Sequence, residues 1–114
     1  MYPQNDCLES DWKLFRKRVP VWQENYMAKL VEEYREILDS EKSPSEKFWA
    51  LEKQLLEDRK CPGVVIDLRR STMRDALFRM LSQGVIQHSD LEGFGQELLE
   101  SLAAETERNT WMCN

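Results

Sequence analysis

A run of apolar residues at three- and four-residue steps constrains this chain more than any other feature. Its members are Trp12, Phe15, Val19, Trp22, Tyr26, Leu30, Tyr34 and Ile37. This is the spacing of an α-helix that buries one face. Because the residue before a proline resists the helical region, Pro20 predicts a short helix over about 11–18 and a long helix from Pro20 to about Leu38. Whether Pro20 separates two helices or kinks one stays open.

The long helix carries apolar side chains around roughly half of its circumference. A helix on the outside of a small bundle needs fewer apolar side chains, because only one side of it is covered. Either this helix is central in the fold, or part of its apolar face meets another chain. Met27 and Val31 are the candidate interface residues on it, together with Trp111 and Met112, which are apolar residues in a polar C-terminal segment.

The next helix has the clearest start in the sequence. Ser43-Pro44-Ser45-Glu46 is a capping box with proline at the first helical position, and the helix is predicted to run to about Lys60, before Cys61-Pro62-Gly63. Its apolar side, expected to face the core, consists of Phe48, Trp49, Leu51, Leu55 and Leu56.

Two later helices are predicted from serine caps. Ser71 is expected to cap a helix at about 72–82, and Ser89 one at about 90–104. Residues 64–68 have strand character, but a lone strand has nothing to pair with. A short helix or irregular turn is therefore favoured there over a two-strand pairing with Val85–Ile86.

These elements predict an all-α fold, a compact bundle of four to five helices with short helix-turn-helix connections. At 114 residues the chain is long enough for one core and too short for two good ones. The expected organisation is an N-terminal tail over 1–10, a single helical domain over 11–104 and a C-terminal tail over 105–114.

The stretch QGVIQHSDLEGF, residues 83–94, has features of several functional sites. A calcium loop aligned on its glycine would need ligands from Arg79 and Leu81, which cannot form an oxygen cage. A DNA-reading helix at 90–104 would carry acidic residues and no lysine or arginine. A catalytic His88-Ser89-Asp90 group fails because adjacent side chains point apart. The stretch therefore predicts a helix–turn–helix corner.

Capping chemistry explains this corner residue by residue. Gly84 follows the end of a helix, where glycine easily adopts a left-handed conformation, and Val85 contacts the helix it leaves. Ile86 is expected to fill the bend, and His88 to lie on the surface. Ser89 is expected to cap the next helix.

Two polar residues project into predicted apolar arcs. Glu52 falls within the arc of the third helix, with Arg59 two turns along the same line, and Gln23 falls within the arc of the second. A buried carboxylate must be paired or neutralised, so Glu52 is expected to meet a basic residue from another helix. The alternative is that Glu52 marks a small-molecule pocket.

The net charge of −5 disfavours nucleic acid as a partner. Basic residues nevertheless form two clusters that leave open a weaker nucleic-acid or acidic-partner function. They are Lys13, Arg16, Lys17 and Arg18, and Arg69, Arg70 and Arg74.

Several site classes have no support in the sequence. Three cysteines without a CxxC pair suggest neither a zinc site nor a redox site, and a reduced cytoplasmic protein is expected. No segment approaches the length of a membrane span, and none has the pattern of a signal peptide. No catalytic residue, cofactor or metal is predicted.

The segments DWKLF, VPVWQENYMAKLVEEY, SEKFWALE, DRKCPGV and GVIQHSDLEGF resemble a small bacterial family of helical proteins of unknown function. The similarity covers about residues 11–102. Members are sometimes labelled multidrug transporters, a label at odds with the absence of a membrane span here. The resemblance implies an all-α fold and no catalytic residues. The expected function is a non-enzymatic protein–protein interaction or regulatory module, with a protein partner or a second copy in a homodimer.

Overall fold

The computed structural model describes the backbone of residues 8–112 and the side chains of residues 8–105. Within residues 8–112, four α-helices follow one another: α1 over Glu9–Asp39, α2 over Pro44–Asp58, α3 over Met73–Ser82 and α4 over Gln96–Met112. Short 3-10 helices precede α3 at Arg70–Thr72 and α4 at His88–Leu91. No strand occurs within residues 8–112, so the all-α prediction is confirmed.

A single helix, α1, spans the region where two were predicted. It continues through Pro20, which removes one backbone donor and leaves the carbonyl of Arg16 without its usual partner. Both residues are exposed, so water can satisfy that carbonyl. The prediction of two helices separated at Pro20 is therefore wrong, and solvent exposure explains why the proline is tolerated.

The core lies at one end of the molecule. It combines the N-terminal half of α1 with α3, the 86–94 segment and α4. Its buried members are Trp12, Phe15, Val19, Trp22, Met73, Ala76, Leu77, Met80, Ile86, Leu91, Phe94, Leu98 and Leu102. The segment after Gly63 is irregular, as favoured, and the minority pairing with Val85–Ile86 does not form.

The C-terminal half of α1 and α2 form an antiparallel hairpin outside this core. The predicted capping box starts α2: the Glu46 amide donates to Ser43 Oγ at 3.3 Å, and the Ser43 amide donates to Glu46 Oε1 at 3.0 Å. However, α2 contains no buried residue. The prediction that its apolar side joins the core is wrong. The radius of gyration of 16.9 Å exceeds the roughly 13 Å typical of a compact chain of this length.

The corner after α3 has the predicted structure from Gly84 to His88. Gly84 has φ +76°, and the Val85 amide donates to the Met80 carbonyl at 2.8 Å, the six-to-one bond of a Schellman motif. Ile86 is 3% exposed and belongs to the core, and His88 is exposed. This turn satisfies the carbonyls at the end of α3 and directs the chain back onto it.

The two predicted serine caps are wrong. At the start of α3 the residue in the cap position is Thr72, whose hydroxyl donates to backbone carbonyls instead, and Ser71 makes no cap. At 88–91 the turn is closed by Asp90, whose carboxylate accepts from the Gln87 amide at 2.8 Å. The chain then leaves helical geometry, so α4 begins at Gln96 rather than at 90 and continues past the predicted end at 104.

Candidate functional site

One side of the hairpin exposes large apolar side chains in two stripes. On α1, Val31 and Leu38 are 53% and 48% exposed; on α2, Phe48 and Leu55 are 63% and 40% exposed. Each pair is seven residues apart, so its members lie on one face of their helix. We use the term hairpin face for these four residues and the two charged residues between them: Val31, Arg35 and Leu38 on α1, and Phe48, Glu52 and Leu55 on α2.

A cavity of about 160 Å³ opens at the base of the hairpin face, between α1 and the end of α2. Its walls are almost entirely apolar. The lining residues are Met27, Leu30, Val31, Tyr34, Leu55, Asp58, Arg59 and Val64. Because Val31 and Leu55 belong both to the cavity and to the hairpin face, the two features form one continuous surface. Met27 and Val31, predicted as interface residues, are brought together here.

Beside the cavity, a hydrogen-bonded group fixes the two helices. Tyr34 Oη donates to Asp58 Oδ2 at 2.6 Å, and Gln54 Nε2 donates to Asp58 Oδ1 at 3.1 Å. Burial, with the hydrogen bond to the Asp58 carboxylate, raises the pKa of Tyr34 to about 12. The phenol therefore keeps its proton to a higher pH than an exposed tyrosine would, and its hydrogen bond links α1 to α2 beside the cavity.

The turn after α2 packs against α1 through a close approach of Gly63 to Tyr26. A Cβ added to Gly63 would overlap the Tyr26 ring, so any residue other than glycine would have to displace that ring. The hydrogen bond to Cys61, followed by burial, raises the pKa of Tyr26 to about 12. Gln23 donates through Nε2 to the Pro62 carbonyl at 3.2 Å. The polar residue noticed in the apolar arc of α1 is thus an anchor for this turn.

Glu52 and Arg59 do not form the predicted buried site. Both side chains are exposed, so the expectation of a buried carboxylate at Glu52 is wrong. The predicted position of Glu52 on its helix is correct, since Glu52 does lie among the apolar residues of α2. Those residues face solvent, and the carboxylate therefore needs no neutralising partner within the chain.

The two predicted basic clusters meet around Trp12. Arg16 and Arg70 lie 5.8 and 5.7 Å from the centre of its ring, within range of a cation–π interaction. Arg70 also pairs with Glu9 at 2.7 Å, and Arg69 pairs with Asp67. Intramolecular partners therefore reduce the positive potential that this surface can offer to an anionic ligand.

The other basic residues divide between structural contacts and solvent. Arg74 pairs with Glu105 and donates to Ser101 Oγ at 2.7 Å. Arg18 donates to the Asp90 carbonyl at 3.0 Å and lies over the Phe94 ring. Lys13 and Lys17 are exposed. A second, more polar cavity of about 370 Å³ beside Arg18 is lined by Lys17, Arg18, Val21, Trp22, Ser89, Asp90 and Glu92.

The sequence interpretation missed a buried acidic residue, Asp11, which is 1% exposed. Its Oδ1 accepts from the Gly95 amide at 2.8 Å, immediately before α4. Gly95 has no side chain to cap the helix, so α1 supplies the carboxylate from a distance in sequence. Asp11 falls one turn before Phe15 on the buried side of α1, and this position was the available signal.

No group of histidine, cysteine and acidic side chains able to hold a metal occurs among the side chains of residues 8–105. Over the same described part of the chain, no helix has both the length and the apolar character needed to cross a bilayer. The side chains of the predicted interface residues Trp111 and Met112 lie outside the described residues, as do Cys7 and Cys113.

Comparison of the chain with models of protein families, with curated proteins and with solved structures finds no match. The resemblance to a bacterial family of helical proteins stays a prediction.

Proposed function

We propose that this chain is a non-enzymatic cytoplasmic interaction module that binds a protein partner, or a second copy of itself, through the hairpin face. The observation that carries the proposal is α2, a helix of 15 residues without a single buried one, which exposes Phe48 and Leu55 to solvent. A helix needs an apolar partner surface to be stable, and a contiguous exposed apolar surface of this kind marks an interaction site.

At the hairpin face, the volume of the cavity supports a protein partner over a small-molecule ligand. Pockets for drug-sized ligands usually enclose about 300–1,000 Å³, whereas this cavity has about 160 Å³ and opens onto the hairpin face. A volume of that size fits one large apolar side chain. Inserting such an anchor into a pocket surrounded by flatter apolar surface is how protein interfaces concentrate their binding energy.

The basic surface supports a nucleic-acid function less well. Arg69, Arg70 and Arg74 each have an acidic partner within the chain, so phosphate binding would have to displace existing ion pairs. The net charge of −5 opposes the approach of a polyanion in addition.

Site-specific photocrosslinking in cells tests the proposal. A photoreactive phenylalanine analogue replaces Val31 in one variant and Val21 in the other; these two valines of α1 are 53% and 58% exposed. We expect one discrete protein adduct from position 31 and none from position 21. We also expect Leu55→Glu, in the position-31 variant, to abolish the adduct while the circular dichroism spectrum stays unchanged. Equal adducts from both positions, or none from position 31, would overturn the proposal.

A further inference from the structure

We infer that the hairpin face binds the hairpin face of a second copy of this chain. In this arrangement α1 of each copy lies on α2 of the other, and the two-fold axis runs parallel to the helices. The two hairpins then form a four-helix bundle in which neighbouring helices are antiparallel. The inference rests on the proposed function and names its partner.

The two helices of the hairpin face carry the same pattern of apolar and charged residues. On α1 the order is Val31, Arg35, Leu38, and on α2 it is Phe48, Glu52, Leu55. Both follow four-then-three spacing, which is the seam spacing of helices that pack side by side in bundles. The central residue is the difference, because it is basic on α1 and acidic on α2.

The hairpin places these residues in matching layers. Val31 and Leu55 line the same cavity and therefore lie within about a helical turn of each other along the hairpin. The chain runs seven residues from Val31 to Leu38 towards the tip of the hairpin, and seven from Leu55 back to Phe48 at the same end. Arg35 and Glu52 lie between those apolar layers, at matching heights on different helices.

Charge decides how two such faces stack. In one alternative, α2 packs antiparallel against α2 of the second copy, with Phe48 opposite Leu55. Glu52 then lies opposite position 51 of the other α2, next to that chain's Glu52. In the same alternative, α1 packs antiparallel against α1 of the second copy, with Val31 opposite Leu38. Arg35 then lies beside Arg35 of the second copy, so like charges meet on both helices. Only the crossed arrangement, α1 on α2, aligns the apolar layers and sets each Arg35 against a Glu52 of opposite charge.

Arg35 is available for that contact. Within one chain it pairs with Glu32 at 3.2 Å, but both side chains of that pair are more than 60% exposed. Exposed pairs of this kind contribute little to stability, so exchanging the partner costs little. Glu52 is exposed as well.

The size of the surface suits a stable dimer. The 15 residues of α2 give the face a length of about 22 Å, and two helix diameters give a width of about 20 Å. Two such faces have roughly 900 Å² of projected area. The accessible area is larger because the side chains stand out in relief, and stable interfaces bury about 1,200–2,000 Å² in total.

Sedimentation equilibrium of the full chain tests the inference over concentrations from about 1 to about 200 µM, which brackets weak and moderate affinities. We expect a dimer. Val31→Glu should weaken it at least about a hundredfold, because it buries an unpaired charge. Arg35→Glu should weaken it about tenfold, and adding Glu52→Arg should restore it to within about threefold.

Two control variants make the same chemical changes away from the hairpin face. Val21→Glu matches Val31→Glu, and Lys29→Glu matches Arg35→Glu in the change of net charge; both positions are exposed on α1. Both controls should leave the dimer unchanged, and circular dichroism should show every variant folded. The inference would be overturned if the control variants weakened the dimer and Val31→Glu did not.

The remaining outcomes are equally decisive. Failure of Glu52→Arg to restore the Arg35→Glu dimer would overturn the crossed arrangement. A monomer at every concentration would overturn the second copy as partner. In that case a photocrosslinked adduct to a different protein from position 31 would leave the proposed function standing, whereas the absence of any adduct would remove both.

Discussion

The carboxylate of Asp11 provides the sharpest test of the fold, because one side chain of α1 satisfies the start of α4. Its Oδ1 accepts the Gly95 amide at 2.8 Å, while its Oδ2 is buried without a hydrogen-bond partner. Replacement by alanine removes the acceptor and leaves the Gly95 amide without one. The variant Asp11→Ala therefore measures what this contact between distant parts of the chain contributes.

The expected change in the free energy of unfolding for Asp11→Ala is the balance of a loss and a gain. A hydrogen bond to a charged acceptor contributes about 1.5–3 kcal/mol to stability. A carboxylate at a partly buried helix N-terminus contributes up to about 2 kcal/mol. The two values describe overlapping effects, so they are not added. Releasing the partnerless Oδ2 offsets part of the loss. We expect Asp11→Ala to lower the free energy of unfolding by about 2 kcal/mol, and Asp11→Asn, which keeps an acceptor oxygen, by about 1 kcal/mol.

Urea unfolding followed by tryptophan fluorescence measures this difference, and thermal unfolding should show a decrease of about 8 °C for Asp11→Ala. The control is Glu9→Ala. Glu9 lies two residues away on the same helix but forms an exposed ion pair with Arg70, and its removal should cost less than about 1 kcal/mol. If Asp11→Ala were no more destabilising than Glu9→Ala, the carboxylate would not be capping α4 and the reasoning would be refuted.

Two further predictions concern the base of the hairpin. The pKa of Tyr34 is about 12 in the folded chain against an ordinary 10, so the unfolded chain releases this proton first and stability should fall as the pH rises from 10 towards 12. In urea titrations across that range, Tyr34→Phe should reduce the slope without abolishing it, because Tyr26 contributes in the same direction; an unchanged slope would contradict the assignment. Gly63→Ala should destabilise by about 1–3 kcal/mol in thermal unfolding because its methyl group overlaps the Tyr26 ring, whereas Gly84→Ala, strained only by its φ of +76°, should cost about 1 kcal/mol. A Gly63→Ala variant as stable as the unmodified chain would show that the ring yields freely.

Periodicity and capping predicted the type of every long element. The apolar stripe from Trp12 to Trp22 is buried, and the Ser43 capping box begins α2 as expected. Periodicity cannot say what covers a face, however. The arc from Phe48 to Leu56 has the pattern of a buried stripe, and only the tertiary arrangement shows that it points to solvent.

The error at the start of α4 has a physical cause. Serine before a helical segment suggests a cap, yet at Ser89 the acidic residue that follows closes the turn instead, and α4 begins only at Gln96. The carboxylate that accepts from the Gly95 amide, just before α4, lies 84 residues away in the chain. Local spacing carries no information about such a partner.

The continuity of α1 through Pro20 has a consequence for how the molecule opens. The first half of the helix packs in the core, whereas beyond residue 22 it contacts the turn after α2 and then α2 itself, which has no buried residue of its own. The amides of α2 should therefore exchange their hydrogens through local opening of the hairpin, at a free energy well below that of global unfolding. Covering the hairpin would raise that local free energy while leaving exchange in α3 and α4 unaltered. Binding would then be seen as protection of the hairpin amides alone, at one end of the molecule.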